Sequence, residues 1–119
     1  MGTKEFGLQL EIRTRKFALS VIRLSILLPI TSENKVLKNQ VTKSGTSVGA
    51  NYREANRARS HADFANKIKI CESEASETVY LLEIISDLNI IETIKLQLIL
   101  KEAIELLAIF TSIGKTLKL

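Results

Sequence analysis

Apolar residues recur along nearly the whole chain with the 3.6-residue period of an α-helix, and this period limits what the chain can fold into. Four stretches carry the period, with few residues between them. The predicted helices run from about Leu8 to Leu28, from Glu33 or Asn34 to about Arg57, from Ser60 to near Asn89, and from about Glu92 onwards. Short connections favour antiparallel neighbours, so the predicted fold class is all-α, an antiparallel up-down-up-down four-helix bundle.

Capping residues mark the predicted helix boundaries. Pro29 ends the first helix, and Ser32 is expected to cap the second. Ser60 is expected to cap the third, with Asp63 as its capping-box partner three residues later.

One stripe of each helix is expected to form the core. In chain order the stripes are Phe17, Val21, Leu24 and Leu28; Leu37, Val41, Ser44, Val48, Tyr52 and Ala55; Phe64, Ile68, Cys71, Ala75 and Leu82; and Leu96, Ile99, Leu100, Ala103, Leu107, Phe110 and Gly114. The second helix also carries Gly45 and Gly49, which each cost about 1 kcal/mol relative to alanine inside a helix. We expect another helix to approach closely there, whereas a phosphate-binding loop conflicts with the continuing helical period.

Three helices carry a second apolar strip that points away from the core stripe. Its members are Leu19, Ile22 and Ile26; Ile70, Leu81 and Ile84; and Ile94, Leu98 and Ile109. Contiguous apolar strips on a small protein usually mark a partner surface, so we predict a homo-oligomer whose interface contains them. The alternative is that single exposed Ile and Leu residues serve no partner.

Length and composition favour one domain, residues 1–119, with residues 1–7 expected to be flexible. A single Cys and a single His exclude an internal disulfide and a zinc site built from Cys and His ligands. No apolar run reaches the roughly 20 residues that span a bilayer, and no secretory signal is recognisable. We therefore expect a cytoplasmic protein that does not contact membranes.

No motif for catalysis or cofactor binding stands out. The Gly114-Lys115-Thr116 segment lacks the first Walker A glycine, because Ile109 occupies that position. The Glu-x-x-His pairs of di-iron bundles are missing, and Cys71 is expected to be a buried, inert thiol. We predict no enzymatic activity, no metal, no cofactor and no small-molecule substrate.

Basic residues concentrate in the first half of the chain. Residues 1–60 carry 11 basic and 4 acidic side chains, a net +7, whereas residues 61–119 carry 6 and 9, a net −3. Helical geometry places Lys35, Arg53 and Arg57 within about 40° of one another, with Lys38 and Lys43 beside them. Such an edge can bind nucleic-acid phosphates; alternatively, it is a solvated face or pairs with the acidic third helix of the same or a neighbouring subunit.

The chain resembles the four-helix bundle proteins encoded within intervening sequences of bacterial 23S ribosomal RNA. The most specific segments are residues 44–55 (SGTSVGANYREA), 58–60 (ARS), 62–64 (ADF) and 74–78 (EASET). The resemblance implies a ring-like homopentamer without established enzymatic activity. A more distant resemblance, to the accessory variability determinant of diversity-generating retroelements, suggests a basic surface for nucleic acid and a reverse transcriptase. Leu81 follows Tyr80 where the family often has an aromatic residue.

The expected function is therefore a homopentameric scaffold that binds RNA or DNA through Lys35, Lys38, Lys43, Arg53, Arg57 and Arg59. The Asn-Tyr-Arg-Glu-Ala segment of the family falls on residues 51–55 and contains Arg53, and Arg57 and Arg59 follow it closely. The alternative is a protein-interaction ring that recruits a nucleic-acid enzyme such as a reverse transcriptase.

Overall fold

The computed structural model describes residues 4–117, which form four α-helices and no strand. The helices are α1 (Lys4–Ile26), α2 (Ser32–Ala55), α3 (His61–Leu88) and α4 (Thr93–Leu117). Each helix packs against its neighbours in the chain, and α1 also packs against α4. Within residues 4–117, none of the helices combines the length and apolar character that crossing a membrane requires. The all-α prediction is confirmed for this part of the chain.

The helix ends agree with the predictions to within a few residues, with two corrections. Helix α1 begins at Lys4 rather than at about Leu8; the flexibility expected of residues 1–7 stays a prediction, and residues 1–3 lie outside the described part. The N-cap of α2 is Thr31 rather than Ser32, and its hydroxyl accepts a hydrogen bond from the Asn34 N–H at 3.0 Å. Both hydroxyl residues are good caps, and the extended backbone of Thr31 is what makes it the cap.

The boundaries of α3 follow from local chemistry. Ser60 is its N-cap, as predicted, and accepts from the Asp63 N–H at 3.0 Å. The Asp63 carboxylate accepts from the Arg59 N–H at 3.4 Å, one residue before the cap. Asn89 ends the helix in the left-handed conformation, with φ of 53°, which asparagine tolerates better than most residues.

The core contains most of the predicted stripe residues. Phe17, Val21 and Leu24 of α1 are buried, as are Val41, Val48 and Tyr52 of α2. On α4, Leu106 is fully buried, whereas its neighbour Leu107, the predicted core residue, is half-buried. Ile113 is buried, whereas its neighbour Gly114, also predicted for the core, is half-buried. Helix α4 is apolar over much of its circumference, so its sequence does not distinguish neighbouring positions that lie 100° apart.

Leu81 was predicted to belong to the second apolar strip, and this prediction is wrong. Only 3% of this residue is exposed, and it belongs to the core, so it cannot contribute to an interface with another chain. The reason is that α3 packs against both α2 and α4, which cover a wide arc of its surface. Ile84 and Ile109 are half-buried. The other predicted strip residues are exposed: Leu19, Ile22, Ile26, Ile70, Ile94 and Leu98.

The close approach predicted for the glycines of α2 is present, and α1 is the helix that approaches. A Cβ added at Gly45 would lie 2.8 Å from Cγ1 of Val21. A Cβ added at Gly49 would lie 3.0 Å from Oγ1 of Thr14 and 3.3 Å from its backbone carbon. The glycines therefore let the two helices come closer than any larger side chain would allow.

Contacts between neighbouring helices follow a regular order. Gly45 lies against Val21, and Gly49, farther along α2, lies against Thr14, which comes earlier in α1. Between α2 and α3, the Thr78 hydroxyl donates to Ser44 at 2.9 Å. Residue numbers thus rise along α2 as they fall along α1.

Candidate nucleic-acid interface

The predicted phosphate-binding residues lie on α2 and on the connection to α3. Lys35, Lys38 and Lys43 belong to α2, and Arg53 stands in its last turn. Helix α2 ends at Ala55, so Arg57 lies in the connection rather than on the predicted helical edge, and Arg59 lies in the connection as well. All of these residues are exposed except Lys38, which is half-buried.

The structure separates this set into two groups. Lys35 and Arg53 point in the same direction, but at 1.5 Å per residue they lie about 27 Å apart along the axis of α2. Arg53, Arg57 and Arg59, by contrast, follow one another at the corner where α2 turns into α3. We call these three residues the arginine corner, because they form a short, dense group of cations at one end of the molecule.

The arginine corner has no carboxylate partner within the described residues 4–117, where every ion pair involves Arg13. Pairing of the α2 cations with acidic residues of α3 in the same chain is not realised at ion-pair distance within this range, and the alternative pairing with a neighbouring subunit stays a prediction. Lys43 lies close enough to Glu74 to lower its pKa slightly, but burial and Glu77 outweigh this and raise it. The arginine side chains are therefore available to an external anion.

Arg13, unlike the arginine corner, pairs with carboxylates of its own chain. Its guanidinium donates two hydrogen bonds of 2.7 Å to the Glu102 carboxylate and one of 2.9 Å to Glu105. The hydrogen bonds that Arg13 donates to Glu102 raise the pKa of Arg13, and this outweighs the effect of partial burial. The sequence pattern did not predict this clamp between α1 and α4. The two glutamates three residues apart are a weak signal for it.

Two further cations belong to the same end of the molecule as the arginine corner. Contact between Gly7 and Asn56 places the start of α1 beside the end of α2, so Lys4 is near this end. Lys115 is in the last turn of α4, whose end lines the same cavity as Lys4. The predicted helix order already implies that these cations share one end of the molecule, because in an up-down-up-down bundle α2 and α4 end on the same side.

A cavity of about 600 Å³ opens at this end. Its floor is mainly apolar, and its rim includes Asn56, Ala58 and Ser60 from the α2–α3 connection. Arg57 and Arg59 alternate with these rim residues and do not line the cavity. At the rim, the Asn56 amide donates to the Glu11 carboxylate at 2.7 Å, which commits one acidic group of this end to an internal contact.

Residues considered for catalysis show no arrangement for it within residues 4–117. Cys71 is completely buried, its Sγ lies 3.5 Å from the Val48 carbonyl oxygen, and burial raises the pKa of its thiol to about 12. It is therefore the inert thiol that was predicted. His61 is exposed in the first turn of α3. In the described part of the chain no three His, Cys, Asp or Glu side chains converge on a metal position.

Comparison with known proteins identifies the family. The sequence model of the 23S rRNA-intervening sequence protein family matches residues 8–112. The chain belongs to this family. The chain is also similar to a solved structure from Bacteroides thetaiotaomicron, that of a protein of unknown function described as belonging to the S23 ribosomal protein family. It shares 36% identity over 88% of this chain and 97% of its own length, with a TM-score of 0.79. No curated protein matches the chain significantly.

Proposed function

We propose that this member of the 23S rRNA-intervening sequence protein family is a non-enzymatic scaffold that binds RNA or another nucleic acid through phosphates. The working unit is a ring-like homopentamer of antiparallel four-helix bundles in the cytoplasm. The opposite order of contacts along α1 and α2 supports the antiparallel arrangement.

The observation that carries the proposal is the arginine corner. Arg53, Arg57 and Arg59 are exposed and have no ion pair within residues 4–117. Guanidinium groups form bidentate hydrogen bonds with phosphate oxygens, and an unpaired arginine does not first have to leave an internal partner.

Assembly multiplies this charge. Each chain carries a net +4, so five chains carry about +20, and their summed field attracts a polyanion. Binding of this kind releases counterions and weakens steeply as salt increases. Recognition through phosphates alone predicts little sequence preference.

The test compares two charge-matched double variants in their affinity for a fluorescently labelled single-stranded RNA of mixed sequence. Arg53→Glu/Arg57→Glu should bind about tenfold more weakly or worse, with a shallower salt dependence, because phosphate contacts are lost and repulsion is added. The control, Lys69→Glu/Lys95→Glu, changes the net charge equally at exposed positions of α3 and α4 and should retain most of the affinity.

Light scattering before and after nuclease treatment completes the test. The proposal predicts a particle of about five chain masses that co-purifies with nuclease-sensitive material. Equal losses in the two variants would show that net charge, and not the arginine corner, governs binding. A pentamer that binds no nucleic acid would instead favour the ring that recruits a protein partner.

A further inference from the structure

The outer surface of α1 carries an apolar line that the chain itself leaves uncovered. The line follows alternating steps of four and three residues and consists of Leu8, Ile12, Arg15, Leu19, Ile22 and Ile26. Every member is exposed, Leu8 by 54% and Ile26 by 68%. This is the a/d spacing of a coiled coil, in which such a line faces another helix. The only charged member is Arg15.

Helix α4 presents a line with the same spacing. It consists of Ile94, Leu98, Lys101, Glu105, Ala108 and Ser112, and all of these residues are exposed. Its first two members are the large apolar ones, with Ile94 exposed by 69% and Leu98 by 65%. The remaining members are charged or small.

We infer that the outer line of α1 packs against the outer line of α4 of a second copy of this chain. When the two helices run in opposite senses, each a position of one meets a d position of the other. Ile26 then faces Ile94, and Ile22 faces Leu98, so the most exposed apolar residues cover one another.

The same register pairs the charges. Arg15 faces Glu105 of the second copy, and the apolar stem of Lys101 covers Leu19. Glu105 uses Oε1 for Arg13 of its own chain, which leaves its other oxygen for Arg15. At the far end, Ile12 and Leu8 meet the small residues Ala108 and Ser112.

The heights of the two lines agree to within about one helical turn. The internal clamp puts Arg13 beside Glu102 and Glu105. Arg15 lies two residues farther along α1, and Glu105 lies about 1.5 residues beyond the midpoint of the two glutamates, so the register is offset from the internal alignment by about 3.5 residues, or about 5 Å. Because different faces of each copy are used, the contact is heterologous, and it closes into a ring when a tilt of the helices against the ring axis takes up this offset.

A pairing of two α1 helices explains less. In an antiparallel α1–α1 contact, Arg15 would face the apolar Leu19 and find no carboxylate there. The apolar start of the α4 line would also stay in water. The α1–α4 contact covers both lines and pairs the single cation of the first.

The inference rests on the self-association in the proposed function but not on nucleic-acid binding. The test co-expresses two differently tagged chains, one with Ile22→Cys and one with Leu98→Cys, and adds a short thiol cross-linker. We expect about half of the chains to form cross-linked dimers that carry both tags, because in a randomly mixed ring each Ile22→Cys chain has an even chance of meeting a Leu98→Cys chain there. Only a contact between chains can produce such dimers. Cys71 stays silent because it is buried.

Two control pairs make the test specific. Ile22→Cys with Val36→Cys, an exposed position of α2, should give little cross-linking. Ile12→Cys with Ile22→Cys reports an α1–α1 contact, so efficient cross-linking of that pair would overturn the inference.

A charge reversal tests the polar part of the contact. Arg15→Glu should weaken assembly about tenfold or more, since it places two carboxylates together, whereas Lys35→Glu, an equal charge change on α2, should leave assembly intact. An oligomer without the Ile22–Leu98 cross-link would overturn the inference and leave the proposed function standing. A cross-linked oligomer that does not bind RNA would support the inference and overturn the proposed function. A monomer would overturn the self-association on which both depend.

Discussion

Helix α1 packs against α2 and against α4 by different means. Against α2 the contact is steric, with Val21 and Thr14 resting on Gly45 and Gly49 so closely that no Cβ fits. Against α4 the contact includes an electrostatic clamp, in which Arg13 pairs with Glu102 and Glu105. These three side chains remain 30–49% exposed.

The side of α1 that contacts α2 is therefore tightly packed, whereas the side that contacts α4 remains partly accessible to solvent. Tight packing of buried atoms tolerates almost no change in volume, because protein interiors are close-packed. An ion pair at the surface tolerates change, because water can solvate its partners. We therefore expect the α1–α2 contact to govern folding, and the α1–α4 side to be where the structure can accept another helix.

The largest effect is expected from Gly45→Leu. A leucine side chain has no space against Val21, which is fully buried and β-branched, so the helices must separate. The free energy of unfolding, measured by urea denaturation, should fall by about 3 kcal/mol.

Gly114→Ala is the matched control for that substitution. Nothing lies within 4 Å of a Cβ added at Gly114, which is also inside a helix. Alanine should stabilise the protein there by about 0.5–1 kcal/mol. Similar destabilisation at both glycines would contradict the steric account of the α1–α2 contact.

Arg13→Ala should have an intermediate effect. It leaves Glu102 and Glu105 without their cation, but their exposure lets water and salt compensate, so we expect a loss of about 1 kcal/mol that shrinks as salt increases. Arg23→Ala, at an exposed cation of α1 outside the clamp, should change the stability by less than about 0.5 kcal/mol. A larger loss for Arg13→Ala than for Gly45→Leu would reverse the ranking of the two contacts.

The smallest effect concerns Tyr52, which packs beneath the start of α1. Burial raises the pKa of its phenol above the usual 10.0. The neutral form is thus favoured in the folded state, and stability that is complete below pH 10 should decline as the pH rises above it. Tyr52→Phe should remove part of this decline, whereas Tyr80→Phe, at an exposed residue, should leave it unchanged. Melting temperatures between pH 8 and 11 report the difference.

Much of the fold was predictable because helical signals are local. Ser60 and Asn89 bound α3 through their own backbone conformations, and the period of Phe17, Val21 and Leu24 follows from burial on one face. Thr31 and Ser32 are both suitable N-cap residues, and the sequence alone does not show which of them caps α2. On α4, apolar residues on several faces hide the choice between Leu106 and Leu107.

The candidate site was predictable only in part. The sequence identifies the cations, and helical geometry relates Lys35 to Arg53 by direction. It does not show that α2 ends before Arg57, which moves that residue into the arginine corner. Nor does it show that Arg13 is held by α4 while Arg53 is unpaired, since those outcomes depend on contacts between distant segments.

By itself, the sequence determined that the chain forms four helices, where they turn, and that small residues line the middle of α2. Periodicity and capping act over a few residues, so one-dimensional information suffices for them. Only the tertiary structure decided that α1 is the helix resting on those glycines and that Leu81, which was predicted in an outward strip, is buried. Each of these depends on how much of a helix its neighbours cover, and that coverage is a property of the assembled helices.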